Sequence, residues 1–190
     1  LREHPRIRVS LEEQPSPAII QSVAAGQVEI GVVAADSSLV GLETQPYRRD
    51  RLVLIFPENH PFATRQALDF AEVLDQPFVC LHAGSAIHTF TMNAATQLGG
   101  SLDVRIQVRS FNAVCRMVGA GVGIGMVPHS SIVVPHGDFL QGAVNGLKAV
   151  KINDAWAPRD LQLCIRSRAT LSSGAAALFD HLAAKGSEQS

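Results

Sequence analysis

The stretch Val108–His129, VRSFNAVCRMVGAGVGIGMVPH, decides the fold. Leading into it, Leu102, Val104, Ile106 and Val108 alternate with Asp103, Arg105 and Gln107, the period-two pattern of a strand. Ser110 stands where an N-cap belongs, its hydroxyl placed to accept an orphan backbone N–H. Phe111, Val114, Cys115 and Val118 recur at i, i+3, i+4 and i+7, one buried face of a short helix. Gly119 and Gly121 are expected to end that helix, because a residue without Cβ takes the left-handed C′ conformation. Val122–Val127 is a second apolar run, closed by Pro128. Strand, helix and strand in this order imply a parallel pair with a right-handed crossover, and hence an α/β fold.

The glycines of this stretch do not make a nucleotide site. A dinucleotide fingerprint needs G-x-G-x-x-G between a strand and the helix it opens. Gly119, Gly121, Gly123 and Gly125 simply alternate, and they lie between a helix and the strand it feeds. They fit a helix stop followed by a strand pressed close to another backbone.

A chain of 190 residues forms one large domain or two small lobes and can bury a sizeable core. It is 46% hydrophobic and 17% charged, with a formal net charge of −1, so it carries no electrostatic footprint for nucleic acid. No run of 18 apolar residues occurs, and no membrane span is expected. Cys80, Cys115 and Cys164 are odd in number, far apart and embedded in apolar runs. They fit buried thiols of a reducing compartment better than a disulfide framework. No clustered ligands point to a metal. The sequence opens at Leu1 without a methionine, in what looks like the last turn of a helix near His4-Pro5, so a fragment is expected.

Along the chain, Ile7, Val9 and Leu11 alternate with Arg8, Ser10 and Glu12 as a half-buried strand. Ser16-Pro17 reads as an N-cap followed by proline at the first helical position, and Gly26 stops that helix. Val28–Val33 is expected to be a strand of a covered parallel sheet. Asp36–Gly41 is loop, and Leu52–Phe56 looks fully buried. PENHPF at 57–62 marks a lobe boundary. Asp69 with Glu72 forms a capping box, and Phe78–Leu81 is another strand. Ser85 caps a helix carrying Ile87, Phe90, Ala94 and Leu98. Ser130–Gly146 is irregular, Leu147–Ile152 is a strand, and the turn around Trp156 returns the chain. Leu161, Leu163 and Ile165 alternate as an antiparallel strand. Ser172 caps a final helix, and residues 186–190 form a fraying end.

Ser16, Ser85 and Ser110 each sit between a strand and a helix. Helix N-termini present free N–H donors and the positive end of the dipole, and in open parallel sheets ligands bind outside the carboxyl ends of the strands. Each serine by itself is explained by capping; three at equivalent positions also fit a shared anion site. His82, His88 and His129 fall near the same strand ends, where His129 is placed to donate to an anion or to act as a base. G-x-S-x-G and H-x-x-x-H are both absent, so no catalytic set and no metal site is expected. Among cations only Arg109 adjoins the caps, and the alternation puts it on the solvent side. The expected ligand is therefore a small anion, a carboxylate, held by hydroxyls and backbone N–H groups.

The motifs also occur in a familiar order. They are His4-Pro5, Gly26-Gln27-Val28-Glu29-Ile30-Gly31, Pro57 with His60-Pro61, Gly119–Ile124 ending in Val127-Pro128, and the last strand and helix after Arg159. In this order the chain resembles the effector-binding domain of LysR-type transcriptional regulators over essentially its whole length. The resemblance implies two α/β lobes of the periplasmic-binding-protein type with a ligand cleft between them. Lobe I would take 1–56 plus 161–190, with its first strand missing, and lobe II 57–160. The N-terminal winged helix-turn-helix of the family is absent from this chain, and Glu29 replaces the commoner aspartate. By motif the effector contacts fall on Ser16, on His82 and Ser85, on Ser110, Phe111 and Asn112, and on Pro128 with His129. The same resemblance implies a cytoplasmic sensor and not an enzyme, without cofactor, metal or membrane. It would assemble as a homodimer or homotetramer and meet DNA only through the missing domain. A periplasmic solute-binding protein and an enzyme on the same bilobal fold are the two rivals.

Overall fold

In chain order the elements are α1 (Ser16–Ala24), β1 (Gly31–Ala34), β2 (Glu43–Pro57), β3 (Ala67–Leu68), β4 (Pro77–Leu81), α2 (Ala86–Gln97), β5 (Asp103–Val108), α3 (Phe111–Gly119), β6 (Gly125–Pro128), β7 (Leu147–Ile152), β8 (Pro158–Ile165) and α4 (Ser173–Ser187). The structure, a computed structural model, describes residues 7–34, 39–132 and 146–187. The helix end expected over residues 1–5 lies outside the described residues, as do residues 36–38 of the 36–41 loop, residues 133–145 of the 130–146 stretch, and residues 188–190. The chain divides into two units, one reaching to Arg49 and resuming at Asp160, the other Asp50–Arg159.

The second unit is built on the deciding stretch. β5 pairs in parallel with β4, Leu81 opposite Val108. β6 takes the other edge of β4 through a parallel bridge between Phe78 and Ile124. Two backbone hydrogen bonds hold this junction, Val79 N–H to Ile124 O and Ile124 N–H to Pro77 O, each 2.8 Å. β5 and β6 are thus parallel, but β4 stands between them. β2 then pairs antiparallel with both β6 and β7, and β3 joins β7 in parallel. The order is β5-β4-β6-β2-β7-β3.

Glycine makes this packing possible at two positions. A Cβ on Gly123 would run into the Pro77 carbonyl, so β6 reaches β4 only because position 123 has none. A Cβ on Gly125 would lie 2.8 Å from Val114 Cγ1, so α3 rests directly on β6. Met126, on the opposite face, lies 3.6 Å from Thr91 Oγ1 of α2. Successive strand residues face opposite ways, so α2 and α3 cover opposite faces of the sheet. Gly121, at φ +77°, makes the left-handed turn after α3, while Gly119 is the helix's last residue. Leu52–Phe56 are fully buried and pair with β6 and β7 inside the second unit, although the sequence places them in the first lobe. An apolar run buried on both faces fits any central strand, so its periodicity does not say which sheet it joins.

In the first unit β1 pairs antiparallel with β8, Gly31 opposite Cys164, and β8 pairs with β2. α1 covers one face, with Ile19, Ile20 and Val23 against Val33 and Cys164. α4 covers the other, with Phe179 and Ala183 against Leu163 and Ile165. The expected strand at Ile7–Leu11 is not formed: these residues are irregular, and Val9 and Leu11 are 48% and 91% exposed. Alternation makes no strand where no neighbour offers backbone partners. β1 likewise starts at Gly31 instead of Val28, and its neighbour is antiparallel. Gly186 lies within α4 and not in a fraying end, because its missing Cβ lets the helix press on the Tyr47 carbonyl of β2.

Gly123→Ala is expected to cost about 1–3 kcal/mol, the usual penalty for overfilling a packed site. Urea unfolding of the variant checks this, and an unchanged midpoint would mean that β4 and β6 are not so closely joined.

Candidate functional site

Because β4, β5 and β6 are parallel, their carboxyl ends share one edge of the second unit. His82 N–H donates to Val108 O at 2.8 Å, carrying the ladder one residue beyond β4. Gly84, at φ +100°, then turns the chain, and Ser85 N–H closes the turn on His82 O at 3.1 Å. Ser85 is buried and its Oγ accepts His88 N–H at 3.1 Å, so it caps α2 as the sequence predicts. Ser110 is exposed and caps α3, accepting Ala113 N–H at 3.2 Å. In both serines the hydroxyl hydrogen is left to donate elsewhere.

Phe111 is half-buried against the core, and Asn112 beside it makes no side-chain hydrogen bond among the described residues. Pro128 ends β6 and leads into a 3-10 turn over His129–Ser131, where His129 is exposed. Seven of the eight residues singled out in the sequence therefore belong to this unit, at the ends of three adjacent strands. Ser16 belongs to the other unit, and it is not a cap. Ala18 and Ile19 N–H, which it would serve, already donate to Pro15 O at 2.9 and 3.2 Å. Its Oγ instead accepts Ala34 N–H at 3.3 Å and ties the start of α1 to the end of β1.

β2 brings two residues to the same edge that the sequence does not reveal. It runs antiparallel to β6 with Leu52 opposite Pro128, so Asp50 and Arg51 lie beside the turn of His129. The Asp50 carboxylate accepts Ser130 Oγ–H at 2.7 Å and Ser130 N–H at 3.2 Å, fixing that turn. Arg51 makes no ion pair among the described residues, and its Nε is buried without a hydrogen-bond partner. An arginine on an extended strand gives no local signal of this; only the antiparallel pairing of β2 with β6 puts it here. The edge thus holds two capped helix N-termini, an exposed imidazole, and an amide and a guanidinium that have no partner among the described residues. That combination suits an anion.

His88 is turned inward. Its Nδ1 is buried without a partner among the described residues and lines a cavity of about 10 Å³ with Cys80, Thr91 and Met126, space for about one water. Burial raises the thiols of Cys80, to about 11, and of Cys115 and Cys164. Among the described residues no group of three or more His, Cys, Asp or Glu is placed to hold a metal ion, and no helix is long and apolar enough to cross a membrane.

A family model described as LysR substrate binding domain matches residues 1–187. The chain belongs to this family. A relative named a probable RuBisCO transcriptional regulator, from Emiliania huxleyi, is 29% identical over 136 residues, covering 68% of this chain. The match takes up 43% of that relative, so this LysR substrate-binding domain spans less than half of its length. Among solved structures it is similar to the CcmR regulatory domain of Synechocystis PCC6803 in complex with 2-PG. That match has a TM-score of 0.74 at 20% identity, over 96% of this chain and 85% of the other. It is also similar to the effector-binding domain of QuiR in complex with shikimate, with a TM-score of 0.69 at 18% identity, over 99% and 86%. At such identities the likeness establishes the fold, two lobes of the periplasmic-binding type.

A native sample treated with a thiol reagent at pH 8 is expected to react negligibly at all three cysteines, because burial holds each as the neutral thiol. Release of three equivalents only on adding denaturant supports this; fast reaction of the native chain contradicts it. Ser110→Ala is expected to cost about 1 kcal/mol of stability through loss of the α3 cap, read by thermal unfolding.

Proposed function

We propose that this LysR substrate-binding domain is the effector-sensing part of a DNA-binding transcriptional regulator, and that its effector is a small carboxylate. The observation that carries the reading is Arg51, a guanidinium without an ion pair among the described residues, at the sheet edge where Ser85 and Ser110 cap two helices. A guanidinium with no carboxylate partner of its own can bind one from a ligand with two parallel hydrogen bonds. The expectation of a site without a cation is revised accordingly. His82, Phe111, Asn112, Pro128 and His129 would complete the wall on this lobe. Ser16, in the other unit, is the remaining effector contact proposed. The shikimate bound by the QuiR domain is a carboxylate of the class proposed.

Sensing requires that the ligand bind two arrangements of the protein with different affinity. The arrangements proposed are those of a homodimer or homotetramer in the cytoplasm, which contacts DNA through a winged helix-turn-helix outside these residues. In this role the domain turns nothing over.

Calorimetric titration with small carboxylates and their neutral amides tests the reading. Binding of a carboxylate, weakened about 10- to 150-fold by Arg51→Gln or Ser110→Ala, is the expected result, equivalent to about 1.5–3 kcal/mol for a hydrogen bond to a charged group. Tight binding of the neutral amide, unchanged in both variants, would overturn it.

A further inference from the structure

The small cavity beneath α2 is walled by sulfur and nitrogen donors from three elements. Around its volume of about 10 Å³ stand Cys80 of β4, Met126 of β6, and His88 and Thr91 of α2. Strand register brings the two sulfurs together. β4 and β6 run parallel with Phe78 beside Ile124, so two residues further on Cys80 comes beside Met126, on the same face. α2 covers that face, and its single turn from His88 to Thr91 closes the cavity from above.

Three of these side chains have lone pairs that nothing else among the described residues uses. Cys80 is a free, buried thiol. His88 Nδ1 is buried and has no hydrogen-bond partner among the described residues. The Thr91 hydroxyl gives its hydrogen to the Ile87 carbonyl at 2.7 Å, so Met126 Sδ, 3.6 Å from that hydroxyl, keeps its own lone pairs. The rest of the wall, Phe78, Val79, Leu81 and Ile87, is apolar.

A water fits the volume, but it needs about two to four polar partners, and sulfur is a weak one. The donor set suits a soft metal ion better. Thiolate and thioether sulfurs select copper(I), and imidazole nitrogen also binds copper. No carboxylate lines the cavity, which disfavours calcium and magnesium. Charge narrows the choice further. A thiolate and a monovalent cation sum to zero, whereas an uncompensated charge is costly to bury. Zinc would leave one positive charge in the interior and prefers a fourth strong donor, which this wall lacks.

We infer that Cys80, His88 and Met126 form a site for a monovalent soft cation, copper(I), bound through Sγ, Nδ1 and Sδ. On binding, the Cys80 thiol passes its proton to solvent and a sulfur–copper bond forms, with no change of oxidation state. Arg51 does not line this cavity, so the site stands apart from the carboxylate reading and neither depends on the other.

Anaerobic titration of the 190-residue chain with copper(I), in competition with a chromophoric chelator, tests the inference. One equivalent is expected to bind, with NMR shifts at the Met126 methyl and the His88 ring. Cys80→Ser is expected to abolish that equivalent. Met126→Leu and His88→Gln are expected to weaken it about tenfold or more, since loss of a mere supporting group already costs that much. Met126→Leu nearly conserves side-chain volume, so it keeps the test decisive where another variant fails to fold. Zinc(II) is expected to bind the native chain no tighter than it binds Cys80→Ser. Failure to hold copper(I) against the chelator overturns the inference. So does copper binding that is unchanged in Met126→Leu, or lost only in Cys115→Ser or Cys164→Ser. Zinc held as tightly as copper(I) overturns the assignment to a monovalent ion.

Discussion

The second unit depends on one close approach, the seating of β6 against β4 at Gly123 and Pro77. Two 2.8 Å backbone hydrogen bonds are made there, and any side chain at 123 would push the strands apart. Because β4 already pairs with β5 on its other edge, this junction fixes the order of three parallel strands. Parallel strands end on one side, and each of these ends leads into a turn or a helix N-terminus. Residues 82–85, 110–112 and 128–129 lie at neighbouring strand ends as a direct consequence of strand order. Gly125 extends the same logic by letting α3 lie on β6, which brings the α3 N-terminus to the strand ends.

The electrostatic character of that edge comes from an element of opposite direction. β2 enters the sheet antiparallel to β6, so its first residues reach the place where β6 ends. Asp50 and Arg51 arrive together, yet they do different things. Asp50 commits its carboxylate to Ser130 and steadies the turn that carries His129. Arg51 is left with a buried Nε and no acceptor among the described residues. A buried donor without a partner costs free energy. The proposed selectivity for an anion therefore rests on a guanidinium that no carboxylate pairs among the described residues.

The first unit obeys the same physics with a different result. Its sheet has helices on both faces, and α1 is tied to β1 by the Ser16–Ala34 hydrogen bond. Among the described residues its outer strand β1 has no neighbour on one edge, and residues 7–11, whose alternation is that of a strand, make no backbone hydrogen bond. Exposed valines and Leu11 gather there.

Much of this was legible in the residues themselves. The period-two run of β5, the i, i+3, i+4, i+7 face of α3, the caps at Ser85, Ser110 and Ser172, and the Asp69–Glu72 capping box depend on neighbours a few positions apart, and all are formed. The glycines at 121, 123 and 125 likewise announced a helix stop and a close strand contact. Ser16 misled, because the carbonyl of Pro15 competes for the same N–H groups and wins. Ile7–Leu11 misled because a strand is a property of two chain segments, and its own residues say nothing of whether a partner is present. The position of β4 between β5 and β6, the sheet joined by Leu52–Phe56, and the arrival of Arg51 beside His129 were decided only by tertiary structure. Each is set by hydrogen bonds between residues far apart in sequence, and local periodicity carries no record of which edge a strand will choose.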